Sequence, residues 1–119
     1  MAGSSQALSG RTGEEIARRY LEGLGFVILE TNYRFRRGEI DIIARDGDDL
    51  VFCEVKARWN DEYGPPEYAV TPQKQKQIRK VAEGYLYERN IRDQVCRFDV
   101  VAIQVTDGTP EIRHLKDAF

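Results

Sequence analysis

The chain has 119 residues, the size of one domain that can bury a core without disulfides or a structural metal. Hydrophobic residues make up 41% and charged residues 32%, which excludes a disordered chain, and no apolar run approaches membrane-spanning length. With 18 basic against 20 acidic residues the net charge is −2, so any case for nucleic acid must rest on local clusters rather than on the total.

Residues 1–11 are rich in Ser, Gly and Ala without the apolar stretch of a signal peptide, and are expected to be a flexible leader before a single domain over 12–119. Ser9 or Thr12 is placed to cap a helix that begins near Gly13, where Ile16, Ala17, Tyr20, Leu21 and Leu24 recur at helical spacing. Gly23 and Gly25 end it, and Phe26 to Leu29 reads as a strand. Tyr33 to Gly38 is a basic and aromatic connection. Glu39 to Ala44 and Leu50 to Ala57 read as strands of one hairpin across a turn at Arg45 to Asp49. Trp59 to Pro66 is a loop, and Pro72 opens a long helix with an apolar stripe through Ile78, Val81, Ala82, Tyr85 and Leu86. Arg97 to Val105 is a further strand, and Thr109 to His114 a short last one. Cys53 and Cys96 sit in apolar runs and read as buried free thiols in a reducing cytoplasm. The sum is an α/β sandwich in which the first three strands are antiparallel and the second helix carries a parallel crossover.

The hairpin carries the chemistry. Its strands break their apolar runs with charge, Glu39 and Asp41 on one and Glu54 and Lys56 on the other. Side chains alternate across a strand, so each pair shares a face. If Gly47-Asp48 is the turn, Asp41 stands directly opposite Glu54; if Asp46-Gly47 is, Asp41 lies diagonal to it. Both registers keep Asp41, Glu54 and Lys56 on one side of the sheet. Opposed residues have Cβ atoms roughly 4.5–5.5 Å apart, and two carboxylates that close repel unless something compensates. Magnesium does so, since it takes one or two carboxylates and leaves places for water and phosphate. Asp41 and Glu54 would hold it, with the Val55 carbonyl as a further ligand and Lys56 beside the attacking water. An isolated Glu-x-Lys triplet is usually a solvated strand face; the opposed aspartate is what lifts this one above that reading.

At these residues the chain resembles a known family. Gly38-Glu39-Ile40-Asp41-Ile42-Ile43-Ala44, a short turn, then Leu50-Val51-Phe52-Cys53-Glu54-Val55-Lys56-Ala57-Arg58 is similar to the YraN family of bacterial proteins. That family is placed in the restriction-endonuclease-like superfamily, with motif PD-(D/E)xK, to which archaeal Holliday-junction resolvases also belong. The likeness extends over about Gly13 to Phe119, taking in Gly13-Glu14, Asn32-Tyr33-Arg34, Lys74, Phe98-Asp99-Val100-Val101 and the Ala118-Phe119 ending. It implies a three-layer sandwich, a mixed central sheet flanked by helices in the order αβββαβ. It puts Asp41, Glu54 and Lys56 at the motif positions and matches Glu14 to a first-helix glutamate that also reaches the metal. Ile40 stands where the motif is written with proline.

The resulting expectation is a nuclease dependent on magnesium or manganese that hydrolyses phosphodiester bonds in DNA, branched or damaged DNA included. Arg34, Arg36, Arg37, Arg58 and Lys74 would grip phosphates. Lys76, Arg79 and Lys80 read equally well as a solvated helix face, and Tyr33 and Phe35 more naturally as packing than as stacking platforms. Trp59 and Tyr63 could touch substrate or cover the core. Glu39 could support Asp41 or pair with Arg37, and Asp99 could pair with a helix residue. The single histidine, His114, argues against a histidine base and a histidine-rich zinc site. The alternative is a nucleic-acid-binding module of the same fold without catalysis; a glycosidase using Asp41 and Glu54 is a distant third. Resolvase-like relatives suggest a homodimer presenting two sites to one branched substrate.

Overall fold

The structure, a computed structural model, describes residues 11–59 and 64–119. The expected leader lies outside them except for Arg11, which belongs to the first helix, and so do Ser9 and Tyr63. Helix α1 spans Arg11–Gly23. It ends as its glycines dictate: Gly25 takes φ 95°, its N–H meets the Glu22 carbonyl, and the Phe26 N–H reaches back to Leu21. That is a Schellman stop, which needs a left-handed residue where Gly25 stands. Leu24, expected in the apolar stripe, falls beyond the last turn and is half exposed.

Three strands follow, β1 (Val27–Phe35), β2 (Gly38–Asp46) and β3 (Asp49–Arg58). A 3₁₀ turn at Pro66–Ala69 leads to helix α2 (Pro72–Glu88), capped by the Thr71 side chain on the Lys74 N–H. Then come β4 (Cys96–Thr106) and β5 (Thr109–Leu115). The five strands form one sheet in chain order; β3 and β4 run parallel across the α2 crossover, and every other neighbouring pair is antiparallel. This is the expected restriction-endonuclease-like α/β sandwich, helix–sheet–helix. The connection read at Tyr33 to Gly38 is shorter than expected, because β1 runs on to Phe35 and only Arg36 and Arg37 turn. The aromatic residues Tyr33 and Phe35 in that stretch favour the pleat over a loop.

The two faces of the sheet bury separate clusters. Ala17 and Leu21 of α1 cover Ile42, Ala44, Val51, Cys53, Val101 and Ile103. Ile78, Val81 and Tyr85 of α2 cover Ile40, Ile43, Leu50, Phe52 and Val100. Each fully buried aliphatic or aromatic side chain here contributes roughly 1.5–3 kcal/mol. Alternation holds along β3 but fails once in β2, where Ile40 and Ile42 fall on opposite faces. Asp41 lies between them. Across from it Asn32 takes φ 53°, and the β1–β2 register is the same on either side, Thr31–Ile42 and Tyr33–Ile40, its one shift lying between Ile28 and Glu30. The β1–β2 arm therefore turns over at Asp41. Both cysteines are free; Cys53 is buried and Cys96 only half so.

Candidate functional site

The register of the hairpin decides what stands opposite what. Asp46 pairs with Asp49, so Gly47-Asp48 is the turn, and Gly47 takes φ 61° as the first place of a type II′ turn requires. Counting back brings Asp41 opposite Glu54, the first of the two registers the sequence allowed. The ladder stops one residue short, at Ile42–Cys53. Beyond it β3 continues beside β4 and β2 beside β1, so the strands fork. The Asp41 carboxylate fills the gap: its Oδ2 accepts the Val55 N–H at 2.8 Å.

Glu54 is 3% exposed. Its Oε2 lies 3.7 Å from the Lys56 amine and 3.7 Å from the Lys74 amine, the first from its own strand and the second from the opening turn of α2. Burial, then the charge of Glu54, pushes the Asp41 carboxyl up to about 7 against the pull of the Val55 N–H. Glu14 enters from α1, whose Gly13 is seated on Ala57 closely enough that a Cβ would lie 3.2 Å from the alanine methyl. Burial and then the Asp41 charge raise the Glu14 carboxyl too, against a hydrogen bond from Asn32. So Asp41, Glu54, Lys56 and Lys74 meet at one point, with Glu14 within electrostatic reach.

The other basic residues spread out. Arg34 is exposed and paired with Glu39 at 3.5 Å, which corrects the pairing expected between Glu39 and Arg37. Arg36 lies over the Phe35 ring at 5.3 Å in the β1–β2 turn. Arg37 is in that turn, its carbonyl 3.5 Å from Gln77 Nε2. Arg58 ends β3 half-buried, in register with Gln104. Tyr33 is buried with its hydroxyl on Glu88, Phe35 packs on Gly84, and Trp59 packs against the α1-face cluster.

Three features were not read from the sequence. Lys74 touches Glu54, a contact made only once α2 folds over the sheet. Asn32 holds Glu14 from a left-handed bend, for which asparagine's tolerance of positive φ was the available signal. Asp99 pairs not with a helix residue but with His114 at 2.7 Å, Arg97 at 2.9 Å and the Asp117 N–H at 3.0 Å. Burial alone would raise the Asp99 carboxyl; these donors hold it down at about 2. His114 is thereby committed to a structural tie, edge-on to Tyr20 and Phe26.

Among the described residues no three His, Cys, Asp or Glu side chains stand as a preformed metal group. Asp41 and Glu54 are two hard-oxygen donors, the number magnesium commonly draws from protein. Their mutual repulsion is the strain that a cation relieves, so this donor set fits magnesium or manganese, with Glu14 alongside.

A family model described as "Uncharacterised protein family UPF0102" matches residues 13–103, a span that includes Glu14, Asp41, Glu54, Lys56 and Lys74. The chain belongs to the UPF0102 (YraN) family. Similar UPF0102 proteins include one from Geotalea daltonii, 55% identical over 111 residues, covering 92% of this chain and 87% of the relative. One from Chlorobium limicola is 55% identical over 117 residues, covering 92% and 90%. One from Rhodococcus opacus is 48% identical over 111 residues, covering 92% and 94%. The matched span runs from the first turn of α1 into β4 and so contains the fork.

Proposed function

We propose that this UPF0102 chain is a magnesium- or manganese-dependent nuclease that cuts phosphodiester bonds in DNA. The observation that carries the reading is the fork. Asp41 is pressed on a nearly buried Glu54, with the Lys56 amine 3.7 Å from the same carboxylate. Asp41 and Glu54 would hold the cation, with Glu14 in support. When bound, the cation polarises a phosphate oxygen and eases deprotonation of a water. The chain's own groups do the rest. Glu54 holds the Lys56 amine in place, and Lys56 orients the attacking water and offsets charge that builds on the phosphate. Lys74 offers a second amine at the same carboxylate, and the Val55 N–H fixes the aim of Asp41.

Purified protein with magnesium or manganese should cleave at least one of linear, flapped and four-way DNA. Lys56→Ala should lower the rate by about 10²-fold or more, the scale of losing one preorganised charge, and Asp41→Asn should abolish the calorimetric heat of magnesium binding. Cleavage at the wild-type rate by both variants refutes the assignment.

A second reading has its own observation. Lys56 and Lys74 already offset Glu54 without a cation, as a binding module of this fold would need. Salt-dependent DNA binding with neither cleavage nor magnesium heat would select it.

A further inference from the structure

Two grooves run along the exposed side of α2. The first, about 550 Å³, is lined by Lys74, Lys76, Gln77 and Lys80. The second, about 1010 Å³, lies between α2 and the β1–β2 turn and is lined by Arg36, Arg37, Gln77, Lys80 and Tyr87. Gln77 and Lys80 border both, so the two form one path. Gln73, Gln77, Lys80, Gly84 and Tyr87 recur at four- and three-residue steps, which stack on one side of a helix. From Lys74 to Tyr87 the path is about 20 Å long by helical rise. It begins at the candidate site, because Lys74 is the residue that touches Glu54.

The chemistry of the path changes along its length. Near the site its charged lining residues are all basic, Lys74, Lys76 and Lys80, set among Thr71, Gln73 and Gln77. Farther on, Arg36 and Arg37 join from the turn, and the acids Glu83 and Glu88 appear. Glu88 is occupied by the Tyr33 hydroxyl. At the far end the Tyr87 ring is 87% exposed. A duplex presents two rows of phosphates and keeps its bases stacked inside. One file of cations ending at a bare aromatic ring suits a strand whose bases are free to stack.

We infer that the nucleic acid taken by this protein includes an unpaired strand, laid along α2 with its phosphates on Lys74, Lys76 and Lys80 and a base on Tyr87. The direction of the strand rests on the nuclease reading, since that reading puts the scissile phosphate beside Lys74. Lys76, Lys80 and Tyr87 are exposed, so replacing them leaves the core intact.

The test is fluorescence anisotropy on the full chain in EDTA, with labelled oligo-dT, oligo-rU and a blunt duplex of equal length. The two oligonucleotides separate DNA from RNA as the source of the strand. Unpaired strand should bind at least tenfold tighter than duplex. The double variant Lys76→Gln, Lys80→Gln should weaken binding and flatten the slope of log affinity against log salt by about 1.4, two phosphate contacts' worth. Tyr87→Leu should weaken it by about tenfold with the salt slope unchanged, as loss of stacking requires. Duplex bound as well as single strand, or both variants binding like wild type, would overturn the inference. So would polyglutamate displacing the oligonucleotide at equal charge concentration, which would mark the groove as a site for an acidic protein. Failure of the nuclease reading is separable: wild type that binds unpaired strand as described in EDTA but cleaves nothing in magnesium loses the catalytic assignment and keeps the groove.

Discussion

Asp41 gives the fold a pH dependence of its own. Folding raises its carboxyl from the ordinary 3.8 to about 7, so the folded chain holds a proton that the unfolded chain releases. The stability linked to that proton is present below pH 4 and is lost as pH rises through 7. Asp41→Asn removes the repulsion with Glu54 while an amide oxygen can still accept the Val55 N–H. In EDTA at pH 8 it should therefore stabilise the fold by on the order of 1 kcal/mol, read as a higher midpoint in thermal unfolding, and the gain should vanish at pH 4. A midpoint lower than wild type at both pH values would show that Asp41 is not strained by Glu54. Asp99 runs the other way. Its carboxyl is held at about 2, so its contribution is present above pH 4 and lost as the pH falls toward 2. Removing it with Asp99→Ala should cost about 3 kcal/mol at pH 7, because Arg97 and His114 lose a fully buried partner; urea unfolding measures this. Asp41, Glu54 and Lys56 were legible in the sequence because charge inside an apolar strand is conspicuous. Lys74 was legible only as a cation, since its partner is twenty residues away on another element.

The reach of β1 onto α2 depends on two glycines. A Cβ on Gly84 would lie 2.5 Å from the Phe35 ring, and one on Gly38 would lie 2.3 Å from a Val81 methyl. Neither helix nor arm can take that contact without moving apart. Gly84→Ala should destabilise by about 1–3 kcal/mol, the usual range for overpacking, although alanine is the better helix former. Denaturant unfolding that shows Gly84→Ala equal to or more stable than wild type would show the arm to be loosely held. The same contact explains why β1 was read too short from sequence. Tyr33 and Phe35 look like a basic, aromatic loop beside Arg34, Arg36 and Arg37. Their rings are instead the inward side of an edge strand that α2 covers, and the arginines face out.

The order of elements and the parallel crossover follow from local signals, helical spacing in α1 and α2 and Pro72, while the glycine at the turn left two hairpin registers, of which the Asp46–Asp49 pairing selects one. The departure from alternation in β2, at Asp41, did not follow from such signals, because it arises where β2 loses β3 as a partner while keeping β1. β2 pairs with β1 from Gly38 to Arg45 but with β3 only from Ile42 to Asp46; β3 pairs with β2 up to Cys53 and with β4 throughout. Seen as one object, the sheet is a zipper drawn partly open, and the Asp41–Val55 hydrogen bond is the last tooth still engaged. An aspartate in that position is a fastener, and under the nuclease proposal a ligand as well. Deleting its side chain would let the opening creep toward Ile42, so a dead variant carrying alanine there would confound lost chemistry with a slackened seam, whereas asparagine keeps the tooth.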